Sequence, residues 1–305
     1  ALAVSIALFI AGIIEPGIGL NMANLADPSN VTTNVTITNT ILDMIPDNPL
    51  NSLANGDMLP VIIFGVIVGF ILAKLKEETK TVNKLFTEGN TIMMEMTNIV
   101  MKFAPIGVFC LIAKTFATLG MDGLMPLSKY VACILLALAV QAFIVYPTLL
   151  VIFTRLNPIK FFKRFFSVML FAFSSSSSNA TIPLTLEKLS ELGVSKDVSS
   201  FTIPLGATIN MDGTAIMQGV VVMFAAQAYG IDLGLSALIT VVFTAVMASI
   251  GTAGIPSVGL VTLNMVFASV GLPTDAIGII MGIDHILDMI RSAVNVTGDA
   301  ICTII

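Results

Sequence analysis

Residues 283–299 read IDHILDMIRSAVNVTGD, and the five most polar side chains of this run are spaced by four, three, four and four positions. At about 100° per residue they fall within an arc of about 80° on one face of a helix. These residues are Asp284, Asp288, Arg291, Asn295 and Asp299. A charged side chain at bilayer depth costs about 2.5–3.5 kcal/mol, so such a stripe must face a cavity or its own partners.

The composition of the whole chain indicates a polytopic membrane protein. Hydrophobic residues make up 56% of the 305 residues and charged residues 11%, whereas about a quarter of a soluble domain is charged. The mean hydropathy is +0.98. The net charge of −5 and the scattered Lys and Arg argue against a nucleic-acid partner. The three cysteines lack the spacing of a disulfide framework or a metal site and are interpreted as small core residues.

The distribution of Lys and Arg predicts which parts of the chain face which side of the membrane. Residues 15–57 contain no Lys or Arg, and neither do residues 197–290. Cytoplasmic loops are enriched in these residues, so the loops in both ranges are predicted to be extracellular and the basic clusters at 74–84 and 155–164 cytoplasmic. Asn30 and Asn34 begin formal glycosylation sequons, although chance sequons in an Asn- and Thr-rich loop are the simpler interpretation.

Apolar runs mark the simpler spans. Residues 59–75 and 131–153 are predicted membrane helices, and the second is a plain span that contains Pro147. The apolar run 1–14 is shorter than the roughly 20 residues that a spanning helix needs. The chain is therefore expected to begin within a helix and to be N-terminally truncated.

Two apolar segments are interrupted too early to cross a bilayer. Residues 158–196 place a run of serines, 174–178, and then Pro183 in the middle of a short apolar segment with Lys on both sides. Residues 235–271 contain the Gly- and Pro-bearing run 251–259. Irregular backbone is tolerated at membrane depth only where it is buried in protein or lines water. Both segments are predicted to be re-entrant helical hairpins, the first open to the cytoplasm and the second to the outside.

The segments after the hairpins repeat one plan. Residues 199–229 are predicted to be a helix broken at the polar run 206–214, and the striped helix follows the second hairpin. Pro183 precedes Asp212 by 29 residues, and Pro256 precedes Asp288 by 32. An inverted repeat with paired broken segments is typical of the midplane site of a secondary transporter.

Several motifs, in this order, resemble the dicarboxylate/amino acid:cation symporter family, which includes archaeal aspartate transporters and mammalian excitatory amino acid transporters. The motifs are the serine-rich tip, NMDGT at 210–214, ASIGTAG at 248–254 and the polar pattern from Asp288 to Asp299. The resemblance covers the whole chain. It implies an all-α polytopic membrane protein with the elevator-type glutamate-transporter fold, assembled as a homotrimer in the lipid bilayer of the plasma membrane.

The resemblance also divides the chain. It implies a partial transport-domain helix at 1–14, an extracellular loop at 15–37, scaffold and trimerisation helices at 38–119 and the transport domain at 127–305. Within the transport domain the hairpins are expected at about 158–196 and 235–271, the broken helix at 199–229 and the final helix at 275–305. The family's first two helices and the start of its third would precede residue 1.

A substrate site follows from the resemblance. Asp288 would hold the α-amino group, Arg291 the side-chain carboxylate, and Asn295, Thr214 and the backbone at Ser178 the α-carboxylate. These roles suit the chemistry, because Arg offers a planar fork for carboxylate and Asp accepts from an ammonium group. The implied substrate residues are Ser178, Thr214, Ile255, Gly259, Asp288, Arg291, Ser292 and Asn295.

The same resemblance implies co-transported sodium ions bound by oxygen, as a hard cation requires. One ion would lie on Asp299, a second on backbone oxygens alone, and a third on Asp212 and the Asn210 side chain with residues that precede this chain. The implied sodium residues are Gly206, Thr208, Asn210, Asp212, Ser249, Ile250, Thr252, Asn295 and Asp299.

Some positions depart from relatives, and some alternatives stay open. Relatives carry an extra Arg at one of two positions, which are Ser176 and Met289 in this chain. Gln218 stands where proton-coupled mammalian members carry Glu. Counter-ion coupling is therefore open. The alternatives are a C4-dicarboxylate carrier, a proton-coupled symporter of the same family, an ion channel and an intramembrane hydrolase.

The hydrolase alternative is weak, because His285 is the only histidine and no Gly-x-Ser-x-Gly elbow is present. A purely structural Asp288–Arg291 pair would leave Asp284, Asp299 and Asp212 unexplained. No catalytic residue is predicted.

Overall fold

The computed structural model describes residues 1–20, 45, 48–55, 58–103, 105–107, 109–110, 113, 117, 124–252, 254 and 256–305. Every regular element in these ranges is helical. The predictions for Asn30, Asn34 and Ile255 lie outside the described residues.

The α-helices of these ranges are numbered in chain order. They are α1 (Leu2–Ile14), α2 (Pro49–Asn55), α3 (Met58–Leu75), α4 (Lys80–Met101), α5 (Leu124–Val140), α6 (Tyr146–Thr154), α7 (Pro158–Ser175), α8 (Ser178–Glu191), α9 (Lys196–Ile209), α10 (Asp212–Tyr229), α11 (Leu235–Gly251), α12 (Val258–Ser269) and α13 (Asp275–Ile304). A 3₁₀ turn, Lys76–Thr79, joins α3 to α4, and a π turn, Gln141–Val145, joins α5 to α6.

Helices α10 and α13 form the centre of the molecule. Helix α10 packs against α1, α5, α11 and α13, and α13 packs against α7, α8 and α9 as well. Every residue from Gly213 to Val222 is buried, as expected for a helix that is surrounded on all sides. The polar stripe predicted on residues 283–299 therefore faces protein.

Each predicted hairpin range contains two helices that pack against each other. Helix α7 ends at Ser175 and α8 begins at Ser178, and Ser176 turns the chain with a φ of 50°. The side chain of Ser177 caps α8 by accepting a hydrogen bond from the backbone N–H of Ala180. Helices α11 and α12 make the second pair.

The predicted helix break is short and its backbone is satisfied by the second hairpin. Helix α9 ends at Ile209 and α10 begins at Asp212. The hydroxyl of Ser249 on α11 donates to the carbonyl oxygen of Ile209 at 2.9 Å and accepts from the backbone N–H of Met211 at 3.1 Å. Freed backbone groups of a broken helix need such partners away from water.

The span predicted at 131–153 differs from a plain helix. It is interrupted by the π turn, which ends just before Pro147. Proline has no N–H and its ring crowds the carbonyl four residues earlier, and a π turn widens the helix at that point.

The outer surface is rich in large apolar side chains. Phe143, Ile152 and Phe166 are among the exposed ones, and exposed apolar area on this scale suits a protein surrounded by lipid. By length and composition, Met125–Thr154 and Lys196–Tyr229 could cross a membrane, and shorter apolar helices accompany them. Of the three cysteines, Cys133 is buried as expected, but Cys110 and Cys302 are exposed.

Candidate functional site

A small polar cavity lies where the tips of the two hairpins meet the helix break and α13. Its wall includes six of the predicted substrate residues, which are Ser178, Thr214, Gly259, Asp288, Ser292 and Asn295. The remaining lining residues are Ser176, Met211, Thr252, Gly254 and Val258. Arg291 lies behind this wall.

The hairpin tips touch each other beside the cavity. The carbonyl oxygen of Gly254 accepts a hydrogen bond from the backbone N–H of Asn179 at 3.2 Å and another from the Ser177 hydroxyl at 2.7 Å. A Cβ at Gly254 would lie 2.8 Å from the side-chain oxygen of Asn179 and 3.0 Å from the carbonyl oxygen of Ala207. A side chain at this position would have to displace the Asn179 amide, so glycine favours this close approach of the two tips.

Arg291 is fully buried and bound to two carboxylates of its own helix. Its Nη1 donates to Asp284, and its Nη2 donates to Asp284 Oδ2 at 3.1 Å and to Asp288 Oδ1 at 2.8 Å. Its Nε has no hydrogen-bond partner among the described residues. Two carboxylates and one guanidinium leave this triad with a net charge of −1. The triad as a whole attracts a cationic group such as an ammonium.

Asp288 also binds the second hairpin. Its Oδ2 accepts the backbone N–H of Ser257 at 2.9 Å. Ser257 has a φ of 60°, a left-handed conformation that costs a non-glycine residue energy. One carboxylate oxygen of Asp288 thus accepts a hydrogen bond from Arg291, and the other accepts one from the tip of the second hairpin.

Asn295 joins α13 to the start of α10. Its side-chain oxygen accepts the backbone N–H of Gly213 at 2.7 Å. A Cβ at Gly213 would lie 2.8 Å from the carbonyl oxygen of Arg291, so the close approach of the two helices needs glycine at this position. This contact brings the NMDGT run against the polar stripe.

Three of the predicted sodium residues gather at Asp299. Its Oδ1 accepts from the side-chain amide of Asn210 at 2.9 Å. A Cβ at Gly206 would lie 2.8 Å from the same oxygen, so α9 approaches the carboxylate closely. Gly206 and Asn210, both half-buried, therefore lie beside the buried Asp299 carboxylate.

The residues predicted to hold the second ion are more dispersed in their side-chain contacts. Ser249 bridges the helix break, and the hydroxyl of Thr252 donates within α11 to the carbonyl oxygen of Ala248 at 2.6 Å. Thr208 is exposed, and its hydroxyl donates to the carbonyl oxygen of Leu205 at 2.8 Å. Ile250 lies in the last turn of α11.

Asp212, predicted to bind the third ion, is held by two residues that sequence reasoning missed. Its Oδ2 accepts from Gln141 Nε2 at 2.9 Å and lies 3.0 Å from the Tyr146 hydroxyl, which donates to it. Gln141 opens the π turn and Tyr146 follows it. A side-chain amide inside an otherwise apolar run was the signal that could have found this site.

The described part of the chain contains no group of three or more His, Cys, Asp or Glu placed to hold a metal ion.

One family model and several known proteins match this chain. Residues 1–305 match the family model described as the sodium:dicarboxylate symporter family. The chain is 36% identical to the proton/sodium-glutamate symport protein of Geobacillus stearothermophilus, over 100% of this chain and 74% of that protein. It is 35% identical to the proton/glutamate-aspartate symporter of Bacillus subtilis (strain 168), over 100% and 75%. Against excitatory amino acid transporter 1 of Homo sapiens it is 38% identical, over 83% and 47%.

Proposed function

The chain belongs to the sodium:dicarboxylate symporter family, and on that basis we propose that it carries acidic amino acids across the cell membrane together with sodium ions. The family makes it a membrane transport protein. Relatives that it covers over about three quarters of their length are named for glutamate, aspartate, sodium and protons.

One observation carries the substrate assignment. A carboxylate, an amide and a hydroxyl, on Asp288, Asn295 and Thr214, converge on one buried cavity at the start of α8, with Arg291 directly behind. A carboxylate suits an ammonium, the backbone N–H groups of a helix start suit a carboxylate once the hairpin tips separate, and a guanidinium suits a second carboxylate. An acidic amino acid carries these three groups.

Substrate binding requires rearrangement of the triad and of the hairpin tips. The Arg291 fork is occupied by Asp284 and Asp288, and Asp288 is occupied by the backbone of Ser257. An incoming ammonium displaces the Ser257 N–H from Asp288, and an incoming carboxylate draws Nη2 away from Asp288. Separation of the tips at Gly254 makes room for both. We therefore propose that the second hairpin opens to admit substrate.

Sodium is the proposed coupling ion. The Asp299 carboxylate, bonded to the Asn210 amide and close to α9 at Gly206, provides one hard oxygen ligand, and Asp212 provides a second carboxylate. Gln218 is buried and neutral, with its Nε2 donating to the Thr262 hydroxyl at 2.9 Å. An amide cannot carry a proton through the transport cycle, so no proton requirement is expected. Proton coupling, as named for some relatives, is the alternative.

The architecture proposed for this activity has two re-entrant hairpins and an elevator movement of the transport domain, 127–305, against a trimeric scaffold, 38–119, in the plasma membrane. The direct contact of the two hairpin tips at Ser177 and Gly254 supports it, because the site of a secondary transporter lies between paired broken segments.

Uptake into liposomes tests the proposal. Isotopically labelled glutamate, aspartate, serine, alanine and succinate are offered to the reconstituted protein under imposed Na⁺, H⁺ or K⁺ gradients. We expect uptake of the acidic amino acids driven by an inward Na⁺ gradient. Uptake driven by a pH gradient in sodium-free buffer would instead support proton coupling, preference for succinate a C4-dicarboxylate carrier, and single-channel currents a channel.

A further inference from the structure

We propose that Gln141 and Tyr146, at the two ends of the π turn, are ligands of a monovalent cation that binds at Asp212. The inference rests on the cation coupling proposed above and adds two residues from a helix that the sodium motifs do not include.

The π turn is what brings the two side chains together. In a regular α-helix, residues five apart point about 140° away from each other. In this turn the backbone N–H of Tyr146 donates to the carbonyl oxygen of Gln141, the i to i+5 bond of a π turn. This bond stacks one residue above the other, so both side chains reach Asp212 Oδ2. Single π turns are frequent at functional sites.

The side-chain amide of Gln141 has an oxygen that is available to a cation. The residue is 2% exposed, its Nε2 donates to Asp212, and its Oε1 has no hydrogen-bond partner among the described residues. A buried amide oxygen without a donor is costly. A half-turn of the amide places this oxygen beside the Asp212 carboxylate, where two oxygens face the same point. Two such oxygens with no proton between them repel each other, and a cation bound between them removes that repulsion.

Tyr146 has two acceptors within reach of its single proton. Its hydroxyl lies 3.0 Å from Asp212 Oδ2 and 3.3 Å from the carbonyl oxygen of Val294. When a cation occupies Asp212, the proton can turn to Val294 and leave the hydroxyl oxygen free to face the ion. The Tyr146 hydroxyl then donates to Val294 and binds the ion through its oxygen, and the side chain keeps its position.

The negative charges of Asp212 and Asp299 favour binding of a cation between them and their neighbours. A Cβ at Gly298 would overlap the Tyr146 hydroxyl oxygen and lie 2.7 Å from Asn210 Nδ2. Asn210 in turn binds Asp299, so Asp212 and Asp299 belong to one polar cluster. In the described ranges no Lys or Arg forms an ion pair with either carboxylate. Buried charges are costly unless a partner of opposite sign is present.

The experiment measures cation binding separately from transport. The full chain is purified with Gln141→Leu, Gln141→Glu or Tyr146→Phe, and with Tyr130→Phe as the matched control. Tyr130 is a second buried tyrosine, on α5, whose hydroxyl has no hydrogen-bond partner among the described residues. The unfolding temperature in choline chloride reports the fold, and its rise during a NaCl titration without substrate reports the site.

We expect Gln141→Leu to raise the half-saturating sodium concentration about tenfold and Tyr146→Phe several-fold, because each removes one ligand oxygen. Gln141→Glu keeps an oxygen and adds a charge, so it should bind sodium more tightly than Gln141→Leu. Tyr130→Phe should stay within about twofold of the unmodified protein.

Other outcomes overturn the inference. If Gln141→Leu or Tyr146→Phe stays within about twofold of the unmodified protein, that residue is no ligand. If Gln141→Glu binds sodium more weakly than Gln141→Leu, the glutamine only donates to Asp212 and positions it. Asp212→Asn separates this inference from the proposed function: if sodium stabilises that variant as it does the unmodified protein, the coupling at Asp212 itself fails.

Discussion

Replacing Arg291 by Thr should abolish tight binding of acidic amino acids and admit neutral ones. Among the described residues that line the cavity there is no Lys, Arg or His, and the guanidinium lies one hydrogen bond behind Asp288. Without it, the second carboxylate of glutamate or aspartate meets no positive partner. A neutral amino acid still finds Asp288 for its ammonium and the α8 start for its carboxylate.

The size of the effect follows from the burial of the group. Truncating one partner of a desolvated charge pair costs about 2–5 kcal/mol, or roughly thirty- to several-thousand-fold in affinity. The same change leaves Asp284 and Asp288 facing each other without their shared cation, and breaking a buried pair destabilises by about 3–5 kcal/mol. The single variant can therefore lose activity by unfolding.

A double variant separates the two effects. Arg291→Thr combined with Asp284→Asn removes one positive and one negative charge, so the triad keeps its net charge of −1. It should recover most of the lost unfolding temperature and keep the changed selectivity. Arg164→Thr, at an exposed arginine of α7, is the matched control. It should leave the unfolding temperature unchanged and the substrate affinities within about twofold of the unmodified protein.

The assay is competition for labelled aspartate uptake, together with the shift in unfolding temperature on adding glutamate, aspartate, serine or alanine. If the double variant folds, keeps acidic-substrate affinity within a few-fold and gains no response to serine or alanine, Arg291 only neutralises its helix. The acidic-substrate assignment would then be wrong.

Three further changes have clear expectations. Asp299→Asn should raise the sodium concentration needed for uptake before it alters the ranking of substrates, and a changed ranking at unchanged sodium dependence would contradict the assignment. Gly298→Ala places a methyl group inside contact distance of the Tyr146 hydroxyl oxygen, so the unfolding temperature and sodium affinity should both fall, and an unaffected protein would refute the tight packing. Gln218→Glu puts a titratable group in the buried position, so uptake should become steeper with external pH; a flat pH profile would argue against proton access there.

Much of the site could be predicted from residue patterns because the relevant spacings are local. The stripe on α13 follows from helical period alone, and the helix break at Asn210 and Met211 lies inside the predicted run 206–214. The helix pairs α7–α8 and α11–α12 fall inside the predicted hairpin ranges. Small-residue and proline interruptions are strong signals in apolar sequence.

Other features depend on contacts that no spacing encodes. The contact of Gly254 with Ser177 joins segments 77 residues apart. The pairing of Gln141 and Tyr146 was missed because a regular helical period separates them, and only the π turn brings them to one side. The binding of Arg291 to Asp284 as well as Asp288 required knowing which rotamers the packing of α13 permits.

The triad on α13 has a consequence for how this helix enters a membrane during synthesis. Asp284, Asp288 and Arg291 all belong to one helical segment, so the guanidinium finds its counter-charges before any neighbouring helix has arrived. An unaccompanied arginine at the helix centre opposes insertion by about 2.5–3.5 kcal/mol. Because its partners lie one and two turns earlier on the same helix, the nascent segment presents one net charge to the insertion machinery in place of three. Membrane insertion therefore makes its own demand on these residues, and variants that unbalance the triad should insert less efficiently than variants elsewhere on α13.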